Sequence, residues 1–503
     1  MHTPAGKDDA AFQREFERIL DEAETASATG RYLTTYADFT GFVFPSANYA
    51  GRKFKAHCVF TNSTFTQAAD FSHANFEHEA EFYDVRFTQQ ANFGGTVFED
   101  KANFLDAIFS FEADFQTARF KDDAYFYGAK FMKDVNFRGT KFTRRALFVS
   151  AEFLQDADFG RSGERNDEDR KNCVFAGPAE FGDARFAGTV GFRRTEFRYL
   201  LDGNRDPLYT FSDRDGPAGA DFSGVKFEKP EEVTFYQTRL DRALFHNCDV
   251  SRVRFSDVSW RKRASGRSMV FDEAISPQNA IVSFGGALKP TSGDNNNPLN
   301  YRLIAELYQR LKRNYDEQKD YWTAGDFHYG EMEMKRLYGA PRTGWFGRYL
   351  DWPLRLLHKY FGLIAWYKYC SQYGESYMRP FFLLLIVLAV FTLLFPLAGL
   401  IRNDTPRSAV SGWQQAPPLT AVSELSYRHF DDFVRAYPGR DWIGPAAFFG
   451  NSLMTVLSVA GFQKELKYEP GYPWGRALAL LELLLTSTLV GLFLLAVRRQ
   501  FKR

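Results

Sequence analysis

Aromatic residues recur at a regular spacing along the first half of the chain. From Phe60 to Phe159, phenylalanines follow one another at alternating steps of five and six residues. A small residue, most often alanine, stands two positions before many of them, as in the segments ADF, ANF and AEF. The positions in between are mostly polar. A repeat of this kind predicts stacked, identical units whose aromatic residues all point to the interior.

This spacing resembles that of pentapeptide repeats, and the resemblance implies a coil with four sides. Four steps of five, six, five and six residues make a coil of 22 residues, so that phenylalanine lies above phenylalanine on each of four sides. About ten such coils, stacked at roughly 4.8 Å, would form a rod about 50 Å long. We expect the repeat to occupy residues 36–261, with Trp260 in its last coil. Polar insertions rich in Gly, Asp and Arg at 160–174 and 198–219 predict loops that leave the rod.

This pattern resembles the pentapeptide-repeat family in its phenylalanine-rich, eleven-residue variant. The resemblance implies a right-handed, four-sided β-helix. Some members of that family resemble nucleic acid in shape and charge. Here the repeat region carries only a slight acidic surplus and the whole chain has a net charge of +1. We therefore expect no nucleic-acid partner, and expect a cytoplasmic protein or ligand of unknown identity at the β-helix.

The segments that flank the repeat have helical patterns. Residues 1–35 form a charged, alanine-rich helix without the apolar stretch of a secretory signal, so we expect a cytoplasmic amino terminus. Residues 262–300 read as a linker. Residues 301–340 resemble a tetratricopeptide-like helical hairpin, which cannot bury its own apolar face. We expect it to pack on the end of the β-helix, on a membrane-proximal helix or on its own copy.

Two groups of residues could in principle bind metal or form covalent links, the pair His328 and Glu331 and the four cysteines. Neither group predicts a metal site. His328 and Glu331 lie three apart on a predicted helix, which we interpret as a surface pair because no further ligand is near. The four cysteines lie far apart without metal-ligand spacing, and we expect them to be reduced. We therefore predict no metal and no cofactor.

The C-terminal part of the chain contains two long apolar segments. Residues 381–401 carry no charge and residues 477–497 carry only Glu482. Each segment has 21 residues, and at about 1.5 Å per residue it would cross the roughly 30 Å hydrocarbon core of a bilayer. The region before them, 341–378, mixes Trp and Tyr with Arg and Lys, which is typical of a helix at the membrane interface.

A third apolar segment, residues 443–462, lies between the two predicted spans within the predicted pore domain, 379–503. It is interrupted by Gly, Pro, Asn and Ser. Basic residues flank both spans on their outer sides, which predicts that both flanks are cytoplasmic. An even number of crossings satisfies this rule, so we interpret 443–462 as a re-entrant helix and filter that enter and leave on the same side. The polar region 402–442 would form an outer loop of unknown role.

Span, re-entrant helix and span is the arrangement of the two-transmembrane potassium-channel family, and residues 455–462, TVLSVAGF, resemble its filter stretch T-x-T-T-V-G-Y-G. The resemblance implies a homotetramer. The last three positions depart from the family, whose glycines adopt backbone angles that other residues resist, so strict potassium selectivity is not expected. The predicted filter and pore residues are Thr455, Ser458, Val459, Ala460, Gly461 and Phe462.

Three acidic residues accompany the predicted filter. Glu482 is an ionisable group at membrane depth, which makes it a functional candidate, and we predict that it lines the pore. A partner such as Arg476, or protonation of the carboxyl in a lipid-shielded position, would give it a structural role instead. Glu465 and Glu469 follow the filter and would form an outer acidic mouth or remain solvated.

Taken together, the patterns predict a multi-pass protein of the plasma (inner) membrane with both termini in the cytoplasm. Its function would be that of an oligomeric channel for monovalent cations with a cytoplasmic β-helix for sensing or partner binding. The alternative is a membrane-anchored pentapeptide-repeat scaffold that binds a protein partner and does not conduct. No enzyme motif is present, so we do not expect an enzyme.

Overall fold

The structure is a computed structural model, and it describes residues 9–28, 36–162, 171–198, 219–275, 301–338, 360–398, 400–402, 443–461, 468–470 and 473–502. The chain divides into two units, Met1–Tyr338 and Gly339–Arg503.

The first unit is built around a β-solenoid. Its short strands follow one another around four faces, and each strand pairs in parallel with a strand one coil further along. The first face contains Ala37–Asp38, Cys58–Val59, Ala80–Glu81, Ala102–Asn103, Ala124–Tyr125, Ala146–Leu147, Ala179–Glu180, Ala220–Asp221 and Ala243–Leu244. The second contains Val43–Phe44, Thr64–Phe65, Arg86–Phe87, Ile108–Phe109, Lys130–Phe131, Glu152–Phe153, Arg185–Phe186 and Lys226–Phe227. The third contains Ala47–Asn48, Ala69–Asp70, Ala91–Asn92, Ala113–Asp114, Val135–Asn136, Ala157–Asp158, Val190–Arg193, Val233–Tyr236 and Arg254–Ser256. The fourth contains Lys53–Phe54, Asn75–Phe76, Val97–Phe98, Arg119–Phe120, Lys141–Phe142, Val174–Phe175 and Glu196–Phe197.

The register confirms the β-solenoid that the phenylalanine spacing predicts. Ala91 pairs with Ala113, 22 positions later. The largest faces have nine strands, close to the predicted ten coils. The first insertion lengthens one coil, so that Ala146 pairs with Ala179, 33 positions later. Its ends meet where the Ser162 N–H donates to the Lys171 carbonyl at 2.8 Å. Residues 163–170 and 199–218 of the two predicted loops lie outside the described residues.

The interior of the solenoid consists of stacked phenylalanine rings. Phe115 is fully buried, and its ring lies 5.0 Å from that of Phe93 and 4.9 Å from that of Phe137, nearly parallel to both. Rings in neighbouring columns meet edge to face, as Phe104 and Phe115 do at 5.6 Å and 89°. Both geometries are favoured by the ring quadrupole. The small residue two positions before each phenylalanine also points inward, and Ala113 is 2% exposed.

The corners of the solenoid explain the turn residues of the repeat. A left-handed backbone conformation recurs every eleven residues, as at Asp84, Gly95 and Asp106, with φ of 51°, 69° and 53°. Gly and Asp are among the residues that tolerate positive φ. Each of these residues lies in a step of five between two phenylalanines, so the shorter step makes the tighter corner.

Helix α1, Asp9–Ala28, covers the N-terminal end of the solenoid. Its apolar side is buried, and the ring of Phe16 stacks on those of Phe39 at 4.5 Å and Tyr49 at 4.8 Å. A double hydrogen bond from Arg52 to Glu17 ties the helix to the first coils. An open solenoid end would expose aromatic rings and unpaired strands, and α1 prevents this.

The other end of the solenoid is covered by the predicted helical hairpin. After a 3₁₀ turn at Pro230–Glu232 and an antiparallel pair of strands, Arg261–Lys262 and Ser268–Met269, the short helix α2 spans Phe271–Ala274. The hairpin consists of α3, Tyr301–Glu317, and α4, Tyr321–Tyr338.

Contacts with the last coil of the solenoid show where the helical hairpin packs. The Trp260 indole N–H donates to the Tyr315 hydroxyl at 2.8 Å, and the Phe327 ring meets the Trp260 ring edge to face at 5.4 Å. Of the three packing sites left open by the sequence, the structure shows the end of the solenoid. His328 and Glu331 are not a surface pair: their side chains are 13% and 5% exposed, and Glu331 contacts Lys312 and Lys335.

The second unit is helical. Its described helices are α5, Leu363–Ser371; α6, Met378–Ala398; α7, Ile443–Ala460; and α8, Pro473–Lys502. Helices α6, α7 and α8 pack against one another, and α5 packs on α6 and α8. Between α6 and α8 in sequence, strands Leu400–Arg402 and Tyr468–Pro470 pair antiparallel.

The helix bounds differ from the predicted spans. Helix α6 begins three residues before the predicted span and ends three residues earlier, while α8 extends past both ends of its apolar segment. Hydropathy locates the apolar stretch but not the helix, since proline is accepted in the first turn and Arg and Lys favour helix. Windows Met378–Phe395 and Gly475–Phe501 are long and apolar enough to cross a membrane.

Candidate functional site

The helical unit contains a buried carboxylate. Glu482 lies in the first half of α8, and its side chain is 0% exposed. Neither carboxylate oxygen has a hydrogen-bond partner among the described residues. Arg476, the partner that the sequence suggested, is exposed on the same helix. An ionisable group without a partner in an apolar environment is costly, and such groups are usually retained for a function.

The pore-lining role of Glu482 stays a prediction, and the structure adds where the side chain lies within one chain. Sequence reasoning placed it on the wall of a pore between copies of the chain. The structure places its side chain in the interior of one chain's helix packing, where it is buried, while Leu480, Leu481 and Leu484 on the same helix are exposed. Within one chain, Glu482 therefore lies on the buried side of α8.

Helix α7 adds further polar residues to the same interior. Ser452 is fully buried, and its hydroxyl donates to the Thr392 carbonyl of α6 at 2.7 Å. Thr455 is 3% exposed. The opposite side of α7 exposes Leu453, Met454 and Leu457, and Val456 packs on Phe391 and Phe395 of α6. The polar residues thus point inward and the leucines outward, the reverse of a helix in a water-soluble protein.

The predicted filter has a different backbone conformation. Thr455, Ser458, Val459 and Ala460 belong to α7, and the Gly461 N–H donates to the Leu457 carbonyl at 2.9 Å, continuing the helix. Residues 458–460 are therefore helical in this chain. Alanine at position 460, where the motif has glycine, is compatible with helix and does not require left-handed angles.

The remaining predicted residues fall at or beyond the end of α7. Phe462 and Glu465 lie outside the described residues. Glu469 lies in strand Tyr468–Pro470 and pairs in register with Ile401. This pairing joins the segment after α6 to the segment before α8, so the end of α6 and the start of α8 lie at the same end of the unit.

The opposite end of the helical unit is held by a buried ion pair. The Arg499 guanidinium of α8 lies 3.2 Å from the Glu375 carboxylate, which is 0% exposed, and donates to the Tyr373 carbonyl at 3.2 Å. Both acceptors belong to the turn that joins α5 to α6. Sequence reasoning missed this pair, since residues 124 positions apart in sequence give no local signal.

The solenoid presents an acidic groove on its third face. It encloses about 530 Å³ and contains five carboxylates and two guanidinium groups, from Glu112, Asp114, Asp134, Asp156, Asp158, Arg138 and Arg193. Some of these charged groups make hydrogen bonds within the solenoid. Asp156 accepts the Thr189 N–H of the next coil at 2.9 Å, and Arg138 donates to Asp158 at 2.7 Å. The remaining oxygens give the groove an acidic lining that suits a cationic ligand.

The cysteines make no disulfide and are no reactive site. Cys58, Cys173 and Cys248 are free and buried, and Cys370 is free and partly exposed. Burial raises the pKa of each of the three buried thiols. A thiol with a raised pKa is a poor nucleophile at neutral pH.

Comparison with known proteins bears on the solenoid alone. The family described as Pentapeptide repeats (9 copies) matches residues 53–97 and 93–141. The chain contains pentapeptide repeats. This agrees with the four-sided solenoid and its phenylalanine columns, and the pentapeptide-repeat match includes no residue of the helical unit. No curated protein and no solved structure matches the chain.

Proposed function

We propose that the chain is an oligomeric membrane channel for monovalent cations, in which the pentapeptide-repeat solenoid is a cytoplasmic domain for sensing or partner binding. The observation that carries the proposal is Glu482, a buried carboxylate inside apolar helices that has no hydrogen-bond partner in the described part of the chain. Ionisable groups inside a helix bundle at membrane depth mark pathways for ions.

Membrane insertion is supported by the surface of α6 and α8. Only 17% and 22% of their apolar windows are buried, whereas the core helix of a soluble protein would be mostly buried. Leu393 of α6 and Leu484 of α8 are 60% and 67% exposed. A protein with such an apolar surface would aggregate in water, whereas in a bilayer the same surface contacts lipid chains. Helix α5 exposes Leu363 and Trp366 beside Lys368, as expected at the interface of a bilayer.

The two ends of the unit support the proposed orientation. Strand pairing joins the end of α6 to the start of α8, so the two helices run antiparallel. Arg498, Arg499 and Lys502 then lie at the same side as Arg379 at the start of α6. By the positive-inside rule that side is cytoplasmic. Helix α7 would enter between the two spans from the outer side.

The preference for cations follows from two features of α7 and α8. A helix leaves its last carbonyls without intrahelical partners, which gives the C-terminal end of α7 a partial negative charge. Glu482 supplies a buried carboxylate on α8, which packs against α7. One chain with two spans does not enclose a pore, so a symmetric oligomer is required, and the resemblance to two-transmembrane channels implies four subunits.

Planar-bilayer recording of the purified full chain tests the proposal. We expect discrete conductance in NaCl and KCl, with cations more permeant than chloride. Glu482→Gln keeps the shape of the side chain and removes its charge, and we expect a several-fold lower cation-to-chloride permeability ratio. Thr488→Val, an exposed position on the same helix, is the matched control and should leave the ratio unchanged.

Two results would count against the proposal. Absence of discrete conductance from correctly inserted protein would overturn the channel. A permeability ratio that is identical in the wild type, Glu482→Gln and Thr488→Val would remove Glu482 from the pathway.

A membrane-anchored scaffold is the second candidate, and the acidic groove favours it. A cationic protein segment would bind along Asp134 and Asp156, which lie on successive coils. Asp134→Asn with Asp156→Asn should weaken binding of an arginine-rich peptide to the full chain, and Asp70→Asn, on the same face but outside the groove, should not. Peptide binding that requires the groove, together with absent conductance, would establish the scaffold.

A further inference from the structure

Three metal-ligating side chains meet on the first face of the solenoid. His57, Glu79 and Glu81 each offer one ligand atom, and these atoms all lie within 4.8 Å of one another. Among the described residues, this is the one group of three or more His, Cys, Asp or Glu side chains that meets this distance. The expectation of no metal rests on local spacing, and these three residues come from two coils.

The solenoid fold brings these three residues together. His57 and Glu79 are 22 positions apart, one full coil, and therefore occupy the same place on neighbouring coils. The parallel pairing of Cys58 with Ala80 and of Val59 with Glu81 fixes their register. Hydrogen bonds from the Cys58 N–H to the Glu79 carbonyl at 3.0 Å and from the Phe60 N–H to the Glu81 carbonyl at 2.7 Å hold the two coils at strand spacing.

Because the backbone of the solenoid is rigid, the three ligands are preorganised before a metal ion binds. Because strands of neighbouring coils lie about 4.8 Å apart, small rotations of three side chains are enough to close a coordination shell. Ligands on a rigid sheet lose little conformational freedom on binding, which favours affinity.

The charges of the two carboxylates, Glu79 and Glu81, also favour binding of a cation between these side chains. The His57 Nε2 atom lies 3.0 Å from Glu81 Oε1, so one carboxylate already has a partner. The Glu79 carboxylate is held in the same small volume and has no ion-pair partner among the described residues. Two carboxylates this close repel each other, and a divalent cation between them removes the repulsion.

The donor set selects the type of metal. One imidazole nitrogen with two carboxylate oxygens suits zinc and related first-row divalent ions, whereas magnesium and calcium prefer oxygen ligands alone. The His57 and Glu81 side chains are 32% and 30% exposed, which leaves room for water as a fourth ligand. The Tyr36 ring lies 5.8 Å from the His57 ring and limits its movement.

We propose that His57, Glu79 and Glu81 form a zinc-binding site that links the second and third coils of the solenoid. The site lies three residues beyond Phe54 and close to α1, where Glu24 accepts the Lys55 N–H. Bound zinc would therefore hold the N-terminal coils together next to the helix that covers them. This site does not depend on whether the helical unit conducts ions.

Isothermal titration of tag-free, metal-stripped full chain in detergent with zinc chloride tests the proposal. We expect one zinc ion per chain. His57→Gln and Glu81→Gln each remove one ligand from an exposed position and should weaken binding at least about tenfold. His73→Gln and Glu77→Gln change the same residue types at nearby positions outside the group and should leave the affinity unchanged.

Thermal unfolding gives a second readout, because a ligand that binds only the folded chain raises its unfolding temperature. Zinc should raise the unfolding temperature of the wild type and of His73→Gln, but not of His57→Gln. Circular dichroism before titration shows whether each variant is folded. Equal zinc affinity of the wild type and His57→Gln would overturn the site. Calcium or magnesium affinity equal to that for zinc would overturn its assignment to a first-row metal.

Discussion

The solenoid and the helical unit are both rich in apolar side chains, and they place them in opposite ways. In the solenoid, Phe93, Phe115 and Phe137 are fully buried in columns of stacked rings. In the helical unit, Leu484 and Leu494 are 67% and 59% exposed. The solenoid satisfies its apolar residues within one chain. The helical unit requires a second apolar phase, which in our proposal is lipid and further copies of the chain.

Buried polar groups show the same contrast. In the solenoid, Thr96 replaces the usual small residue, and its hydroxyl donates to the Phe71 carbonyl at 2.7 Å. Thr140 does the same to the Phe115 carbonyl at 2.7 Å. In the helical unit, the Glu482 carboxylate is buried without a hydrogen-bond partner among the described residues. The buried Ser63 hydroxyl of the solenoid also has no partner there, but an ionisable carboxyl costs more to bury than a hydroxyl, and this is the reason that we assign a function to Glu482.

Truncation of a solenoid ring should give the largest change in stability. Phe115→Ala removes a ring stacked on both sides, and we expect a loss of about 3–5 kcal/mol. Chemical unfolding of the full chain in detergent, followed by the far-ultraviolet signal of the solenoid, measures it. Phe111→Ala is the matched control, since Phe111 is 42% exposed and its loss should change stability by less than about 0.5 kcal/mol. Similar losses for both variants would contradict the stacked core.

A charged residue introduced on the exposed apolar surface of the helical unit should cost nearly as much free energy as Phe115→Ala, if that surface faces lipid. Leu484→Lys lies near the middle of the proposed span, and we expect a cost of about 3 kcal/mol for insertion. The fraction of protein that stays in membranes after alkaline washing measures it. Leu363→Lys, an exposed position on the proposed interfacial helix, should be tolerated. Full retention of Leu484→Lys would show that this surface does not contact lipid.

The hairpin that covers the solenoid should lose stability in acid through Glu331. Burial alone would raise the pKa of this carboxyl, but contacts with His328, Lys335 and Lys312 outweigh burial and lower the pKa to about 2. A lowered folded-state pKa contributes stability above the ordinary pKa of 4.5, and that contribution is lost as pH falls from 4.5 towards 2.

Replacing Glu331 by glutamine measures how much the ionised carboxylate contributes to the stability of the folded chain. At pH 7, Glu331→Gln should lower stability by on the order of 2 kcal/mol, and the difference from the wild type should shrink below about pH 4.5. Glu317→Gln, in α3 and without these lysine contacts, is the control. A difference that stays constant down to pH 3 would show that folding does not lower the pKa of Glu331.

Sequence reasoning succeeded where the pattern is local and repeated. Phe60 and its successors fixed the coil length, and the small residues before them fixed which side points inward. It failed where distant residues meet. Helix α1 was recognised as a helix, but nothing in its sequence shows that Phe16 stacks on Phe39 and Tyr49. The pair of Arg499 with Glu375 is of the same kind.

The zinc ligands are an intermediate case. His57 and Glu79 are separated by one coil, so the repeat length contained the signal that they are neighbours. The same period of 22 residues that stacks the rings also places polar residues of the outer faces above one another.

The sequence alone determined the solenoid, because each coil contacts its neighbours through residues at one repeated spacing, so the register follows from the period. It also located the apolar segments of the helical unit, since their length and hydropathy are local properties. Tertiary structure decided what covers the two ends of the solenoid and which way Glu482 points. It also decided that residues 458–460 are helical, because the choice between helix and extended backbone there depends on packing against α6 and α8.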